Sequence, residues 1–268
     1  MLLNGNKLVN GNQLNKEEIA ELDPYQLMAV LGKKVIHPGG KQSTREFYAM
    51  ADLQAHHSVL DIGCGVDTTC IDLVRKFGCN IIITDIDDKM IDKARKNVEV
   101  AGLIDKIKVE KADIQQLSFA DNTFDVIIIE AVTMFVNRHA AIKEVLRVCK
   151  PTGRVIEQEF IWRKTPTVDA RRILEGGVCP GIKFDSADDW ITIYESNGFI
   201  KTQLVTGPFR MMSLAGFLKD EGMLNTLSIM AKAITRVAYM KKMAWLMPRI
   251  MKVKNSLGYI VFSVEKKT

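Results

Sequence analysis

Cysteine is sparse and unpaired in this sequence. Cys64, Cys70, Cys79, Cys149 and Cys179 occur without a CxxC spacing, and an odd number of them argues against a disulfide framework. Histidine is scarcer. His37, His56, His57 and His139 show neither HExxH nor HxxxH spacing, so no ligand cluster for zinc or another metal is expected. No run approaches the roughly 18 uninterrupted apolar residues of a membrane span. The first residues, MLLNGNKLVNGNQLNKEE, are too polar for a secretory leader, and a cytoplasmic protein is expected. A GxxxxGK[ST] phosphate loop is missing too, which excludes a Walker-type nucleotide site.

What is present is the composition of a globular protein, 47% hydrophobic and 26% charged over 268 residues. That length suits one large α/β domain with an insertion, or two small domains. The formal charge of +5 is unevenly spread. Between Arg210 and Leu257 stand nine lysines or arginines against two acids, so the remainder of the chain is slightly acidic. Eight of the 13 methionines fall in the same segment.

Apolar runs and helical patterns alternate from Val59 onward. Val59 to Asp61, CNIIITDID, KIKVEKAD, FDVIIIE and RVIEQEF read as strands, separated by Thr68 to Phe77, DDKMIDKARKNVEVAG and HAAIKEVLRVCKPTG as helices. This alternation predicts a parallel, doubly wound sheet whose ligand site lies beyond the carboxyl ends of the strands. A helix SADDWITIYESNGF capped by Ser186, a strand IKTQLVTG, a helical stretch from Phe209 to Leu257 and a last strand GYIVFSVEKK complete the pattern.

The first strand runs into VLDIGCGVDTTC, a glycine loop with Gly63 and Gly65 but with Asp67 and Thr68 where a dinucleotide fingerprint would continue toward its third glycine. A carboxylate about 4 Å from a phosphate, at an effective dielectric near 20, is repelled by roughly 4 kcal/mol, which disfavours NAD. S-adenosylmethionine has no phosphate and carries a sulfonium and an ammonium, which an acid-rich rim accommodates. Asp85 lies 22 residues after Gly63, the distance at which an acid meets the two ribose hydroxyls, and Asp113 stands beyond the third strand as an acceptor for an adenine amine. Asp67 itself has two readings, an N-cap of the following helix or a direct cofactor contact.

VLDIGCG, ITDIDDKMIDKARKN, KADIQQLSFADNTFDVIIIEAV and EVLRVCKPTGRV also follow one another in the order of the motifs of class I S-adenosylmethionine-dependent methyltransferases. Over about Val59 to Phe160 the chain resembles that family, in particular its type-11-like, small-molecule group. The resemblance implies a mainly parallel seven-stranded Rossmann-like sheet with a helical insertion before the last strand. It also implies S-adenosylmethionine as cofactor and S-adenosylhomocysteine as product. Asp61, Gly63, Cys64 and Gly65 would form the cofactor loop, Asp85 would hold the ribose, Asp113 with Ile114 the adenine, and Glu130 the methionine end. Ile86 and Met90 join the expected contacts. Asp67 departs from the usual glycine, and KPTGR from the commoner KPGGR.

The organisation expected is a helical lid over 1–52, a cofactor-binding core over 53–207, a basic, methionine-rich insertion over 208–257 and a final core strand over 258–268. In VIHPGGKQSTREFYAM, His37, Gly39 and Gly40 are expected to cover the methionyl end of the cofactor. The insertion is read either as plain packing or as an acceptor lid with an apolar inner wall and lysines outside, able to touch an anionic membrane. The function expected is methyl transfer to a small apolar or amphiphilic acceptor, with a lipid or quinone-like acceptor or a non-enzymatic cofactor-binding scaffold as alternatives. Nucleic acid is disfavoured as a partner: IIIEAVTM lacks the Asn/Asp-Pro-Pro-aromatic and Pro-Cys motifs of base methylation. Glu130, Glu159 and His37 are the candidate proton acceptors. Glu157 shares the sheet face of Glu159, and which face meets the pocket is left open.

Overall fold

In the computed structural model, which describes residues 14–65 and 69–267, seven strands form one sheet. The expectation that Asp67 caps a helix lies outside the described residues. The sheet order is β3 (Ile107–Lys111), β2 (Asn80–Asp85), β1 (Ser58–Ile62), β4 (Phe124–Glu130), β5 (Cys149–Trp162), β7 (Leu257–Lys266) and β6 (Phe199–Pro208). Five strands run parallel, and β7 lies antiparallel between β5 and β6. The chain order reverses at β1 and β4, which places a switch point beside the glycine loop.

Helices cover both faces because the central strands are apolar throughout: Ile127, Ile128 and Ile129 of β4 are fully buried. On one face α3 (Lys41–Ala51), α4 (Thr69–Phe77) and α5 (Asp88–Ala101) pack Phe47, Leu73 and Ala94 against Ile81, Ile83 and Ile128. The other face carries α6 (Arg138–Val148) and α8 (Ala187–Ser196), with Ile142, Val145, Trp190 and Tyr194 buried. Ser186 caps α8 through a full capping box with Asp189. The same core extends to α1 (Lys16–Glu21), α2 (Pro24–Leu31) and a short α7 (Val168–Ile173).

Between β6 and β7 the chain inserts α9 (Leu214–Thr235) and α10 (Val237–Val253). Gly222, at φ 75° and ψ 170°, breaks α9 into two parts. The insertion differs from the expected lid in one respect: the second part of α9 turns polar residues inward. Asn225 donates to the Gly32 carbonyl at 3.3 Å and to Glu221 at 2.6 Å, and Thr226 donates to the Gly222 carbonyl at 2.7 Å. Its outer face is therefore apolar rather than lined by lysine alone, with Met223, Leu224, Leu227, Met230 and Ile234 exposed. Among the described residues, no helix is long and apolar enough to cross a membrane.

Candidate active site

The loop after β1 is built on backbone. The Gly63 and Cys64 amides both donate to the Thr84 carbonyl, at 2.8 and 2.9 Å, so the turn is stitched to the end of β2. Gly63 and Gly65 sit at φ +78° and +56°, conformations that side chains disfavour. A Cβ on Gly63 would also come within 2.2 Å of Val132 in the loop after β4. The two loops that flank the switch point touch there, and only glycine permits it.

Asp85 closes the same loop from the other side. Its Oδ2 accepts from the Gly65 amide at 3.0 Å and its Oδ1 from the Asp87 amide at 2.9 Å. An ionised carboxylate offers about four lone-pair positions, so two remain for a diol. Asp87 caps α5 through the Lys89 and Met90 amides, which fixes Met90 at the first turn. Ile86 is 44% exposed on the rim. Beyond β3, Asp113 accepts from the Gln115 amide at 2.9 Å, and Ile114 is buried beneath it.

Two further acids complete the edge. Asp61 is 5% exposed at the end of β1, and Glu130, half-buried, ends β4. Glu130 bears electrostatically on Tyr48 of α3, whose hydroxyl also meets Thr69; burial first, then Glu130, raises the phenol pKa. Across the sheet, Gln158 pairs in register with Glu130, and both its amide oxygen and nitrogen are buried without a hydrogen-bond partner. Such an orphaned amide is costly unless something completes it. Tyr48 and Gln158 escaped the sequence reading. The polar EQE inside an otherwise apolar strand was the available signal.

The HPGG turn meets the insertion. The His37 ring bonds the Ser43 hydroxyl at 3.2 Å and the Thr44 hydroxyl at 3.0 Å, using both nitrogens. Gly40 takes φ +63°, and a Cβ there would come within 2.1 Å of Asp220 in α9. Asp220 accepts from the Lys41 amide at 3.0 Å and so caps α3 from another helix. Next to it, Glu221 accepts from the Lys34 and Val35 amides, both at 3.0 Å, and pairs with Lys33 at 3.4 Å. Packing against α9 therefore accounts for Gly40 without a ligand.

A methyltransferase-domain family model matches residues 60–156. An uncharacterized protein of Haemophilus influenzae is 32% identical over 217 residues, covering 78% of this chain and 85% of that protein. The chain belongs to the class I S-adenosylmethionine-dependent methyltransferases. Methyltransferase GfsG of Streptomyces halstedii is 33% identical over 51% of this chain, which spans half of that protein's length. Among solved structures, the [4+2]-cyclase SpnF superposes with a TM-score of 0.72 at 18% identity, over 95% of this chain and 97% of that one, a likeness of fold.

In this methyltransferase the candidate proton acceptors separate. Burial, with the Lys33 ammonium adding to it, lowers the His37 pKa to about 4, so the ring is a neutral turn-fixing group and a poor base. That corrects its expected place among the bases; its place over the cofactor rests on the turn alone. Glu157 and Glu159, two residues apart on β5, are both fully buried. Tyr194 donates to Glu157, and Glu159 accepts from the Met134 amide at 3.2 Å. Burial pushes Glu157 up to about 7, and burial with the neighbouring Glu157 charge raises Glu159 well above the carboxylate range. Two carboxyls sharing a dry site hold at least one proton between them. Both causes favour the protonated form of Glu159, the candidate proton acceptor on this strand. Glu130 stands apart from this pair on the loop edge.

Proposed function

We propose that the enzyme methylates a small apolar or amphiphilic acceptor seated in the cleft between α2, the end of β5 and the insertion. The observation that carries this reading is the lining of that cleft. Tyr25, Phe160, Phe184, Phe209, Met211 and Met212 surround it. Tyr25 and Phe160 stack edge to face at 5.4 Å. Its free volume is about 20 Å³, room for roughly one water, so an acceptor enters by moving the flexible methionine pair.

The residues present fit S-adenosylmethionine: a glycine cradle that a Cβ would fill, a carboxylate with spare lone pairs for a diol, and acids for a sulfonium and an ammonium. Asp85 holds the ribose, Asp113 and Ile114 the adenine side with Ile86 and Met90, and Asp61, Gly63, Cys64 and Gly65 the loop. Glu130 orients the methionine end with the Gln158 amide, under the turn formed by His37 and Gly40. Bound there, the cofactor supplies an electrophilic methyl group whose sulfonium is already a good leaving group. The chain's contribution is alignment and water exclusion, and the proton that a hydroxyl acceptor gives up as its oxygen takes the methyl group from sulfur leaves to Glu130 or to water.

The test is a panel of acceptors incubated with methyl-labelled cofactor and read by mass spectrometry. Prenyl alcohols and quinols should be methylated with kcat/KM at least about tenfold above polar amines and free nucleosides, as an apolar pocket discriminates at that level. Turnover confined to polar acceptors or RNA would overturn the reading.

A further inference from the structure

We propose that the outer face of α9 docks on anionic membrane surfaces. In the second part of this helix Met223, Leu227, Met230 and Ile234 recur at spacings of four, three and four, which aligns them on one side. Leu224 beside them is 85% exposed and Ile234 is 69% exposed. The opposite side holds Asn225, Thr226 and Ile229 against the protein. The helix is inverted, with its hydrogen-bonding residues inward and its apolar stripe toward solvent. A contiguous exposed apolar stripe marks a surface that binds something apolar.

The charges name the partner. Lys219, Lys232, Lys241 and Lys252 of the insertion are exposed. The two acids of residues 210–257 are withdrawn: Asp220 is 5% exposed at the α3 cap, and the Glu221 side chain is fully buried on Lys33. Lys242 is also turned inward, toward the Ala20 carbonyl. Every exposed charge of the insertion is therefore positive. An apolar stripe on an insertion whose exposed charges are all positive matches a bilayer with anionic headgroups, where the stripe enters the acyl boundary and the ammoniums reach the phosphates. A second copy of the chain fits worse, because pairing this face with itself juxtaposes the same lysines with no exposed acid of the insertion to meet them.

Vesicle flotation of the full chain tests this without reference to the acceptor, so its failure is separate from failure of methyl transfer. Vesicles of equimolar phosphatidylcholine and phosphatidylglycerol should bind at least about tenfold more protein than phosphatidylcholine alone, with high salt reversing the difference. Leu227→Glu with Ile234→Glu should lower binding at least about tenfold, and Lys241→Gln about fivefold, while cofactor affinity and Tm stay as in the parent. Equal or absent binding to both vesicle types overturns the proposal. So does a dimer that Leu227→Glu dissociates, which would give the face to a second copy.

Discussion

Asp85→Ala should raise the Kd for S-adenosylhomocysteine by a few hundredfold or more. The carboxylate ties the glycine loop to β2 through Gly65 and Asp87, and in the proposed site its remaining lone pairs accept from the ribose hydroxyls. Two charge-assisted hydrogen bonds at roughly 1.5–3 kcal/mol each give about 3–6 kcal/mol, before any loosening of the loop is added. Asp85→Asn keeps one acceptor oxygen and should fall between. Asp87→Ala is the control: it removes the α5 cap, costs about 1 kcal/mol of stability and leaves affinity nearly intact. Calorimetric titration of the three variants reads both effects. Equal Kd values for the parent and Asp85→Ala would remove Asp85 from the site.

Glu157→Gln should stabilise the protein above neutral pH, with no gain near pH 4.5. In the folded state burial holds the Glu157 pKa at about 7, whereas in the unfolded chain it returns to the ordinary value of 4.5. Between those two values the native state keeps a proton that the unfolded state has released, so this group's contribution falls as pH rises through the window. The slope is about 1.4 kcal/mol per pH unit, which amounts to roughly 3 kcal/mol by pH 7.5. His37 works in the opposite sense between 6.5 and about 4, because the unfolded chain protonates first, and it masks part of the slope in the parent. The difference between Glu157→Gln and the parent isolates the carboxyl. Glutamine still accepts from Tyr194, so the pair of Tm profiles should diverge by roughly 5 °C at pH 7.5 and meet near 4.5. Parallel profiles would mean that Glu157 is ionised in the fold.

The parallel half of the sheet was legible because its strands are short, apolar and separated by capped helices. FDVIIIE corresponds residue for residue to β4, and CNIIITDID contains β2. RVIEQEF is only the middle of β5, which runs from Cys149 to Trp162 because β4 pairs it as far as Gln158 and β7 from Arg154 to Trp162. That β7 enters antiparallel between β5 and β6 follows from long-range pairing that no local pattern carries. Within the helical segment expected over 1–52, α1 and α2 were not delimited, although Asn15 with Glu18 and Asp23 with Gln26 form capping boxes and Gly32 ends α2. Their signal was local and present.

The candidate site divides in the same way. Asp61, Gly63, Gly65, Asp85 and Asp113 stand at strand ends, where spacing alone places them. Gln158 and the Glu157–Glu159 pair depend on which way a buried strand turns its faces, and alternation fixes only that Gln158 opposes the other two. HPGG shows how a motif can have a second partner that the local sequence does not reveal. Its Gly40 makes room for Asp220, 180 residues later, a contact invisible until the insertion folds back.

A crystal structure of the full chain with S-adenosylhomocysteine tests the central claim most directly. The account predicts the ribose hydroxyls on Asp85, the adenine beside Asp113 and Ile114, and the homocysteine end between Gly63, Glu130 and Gln158, with the apolar cleft open beyond it. A nucleoside bound with its ribose on any other residue, or with its sulfur directed away from the cleft, would contradict it.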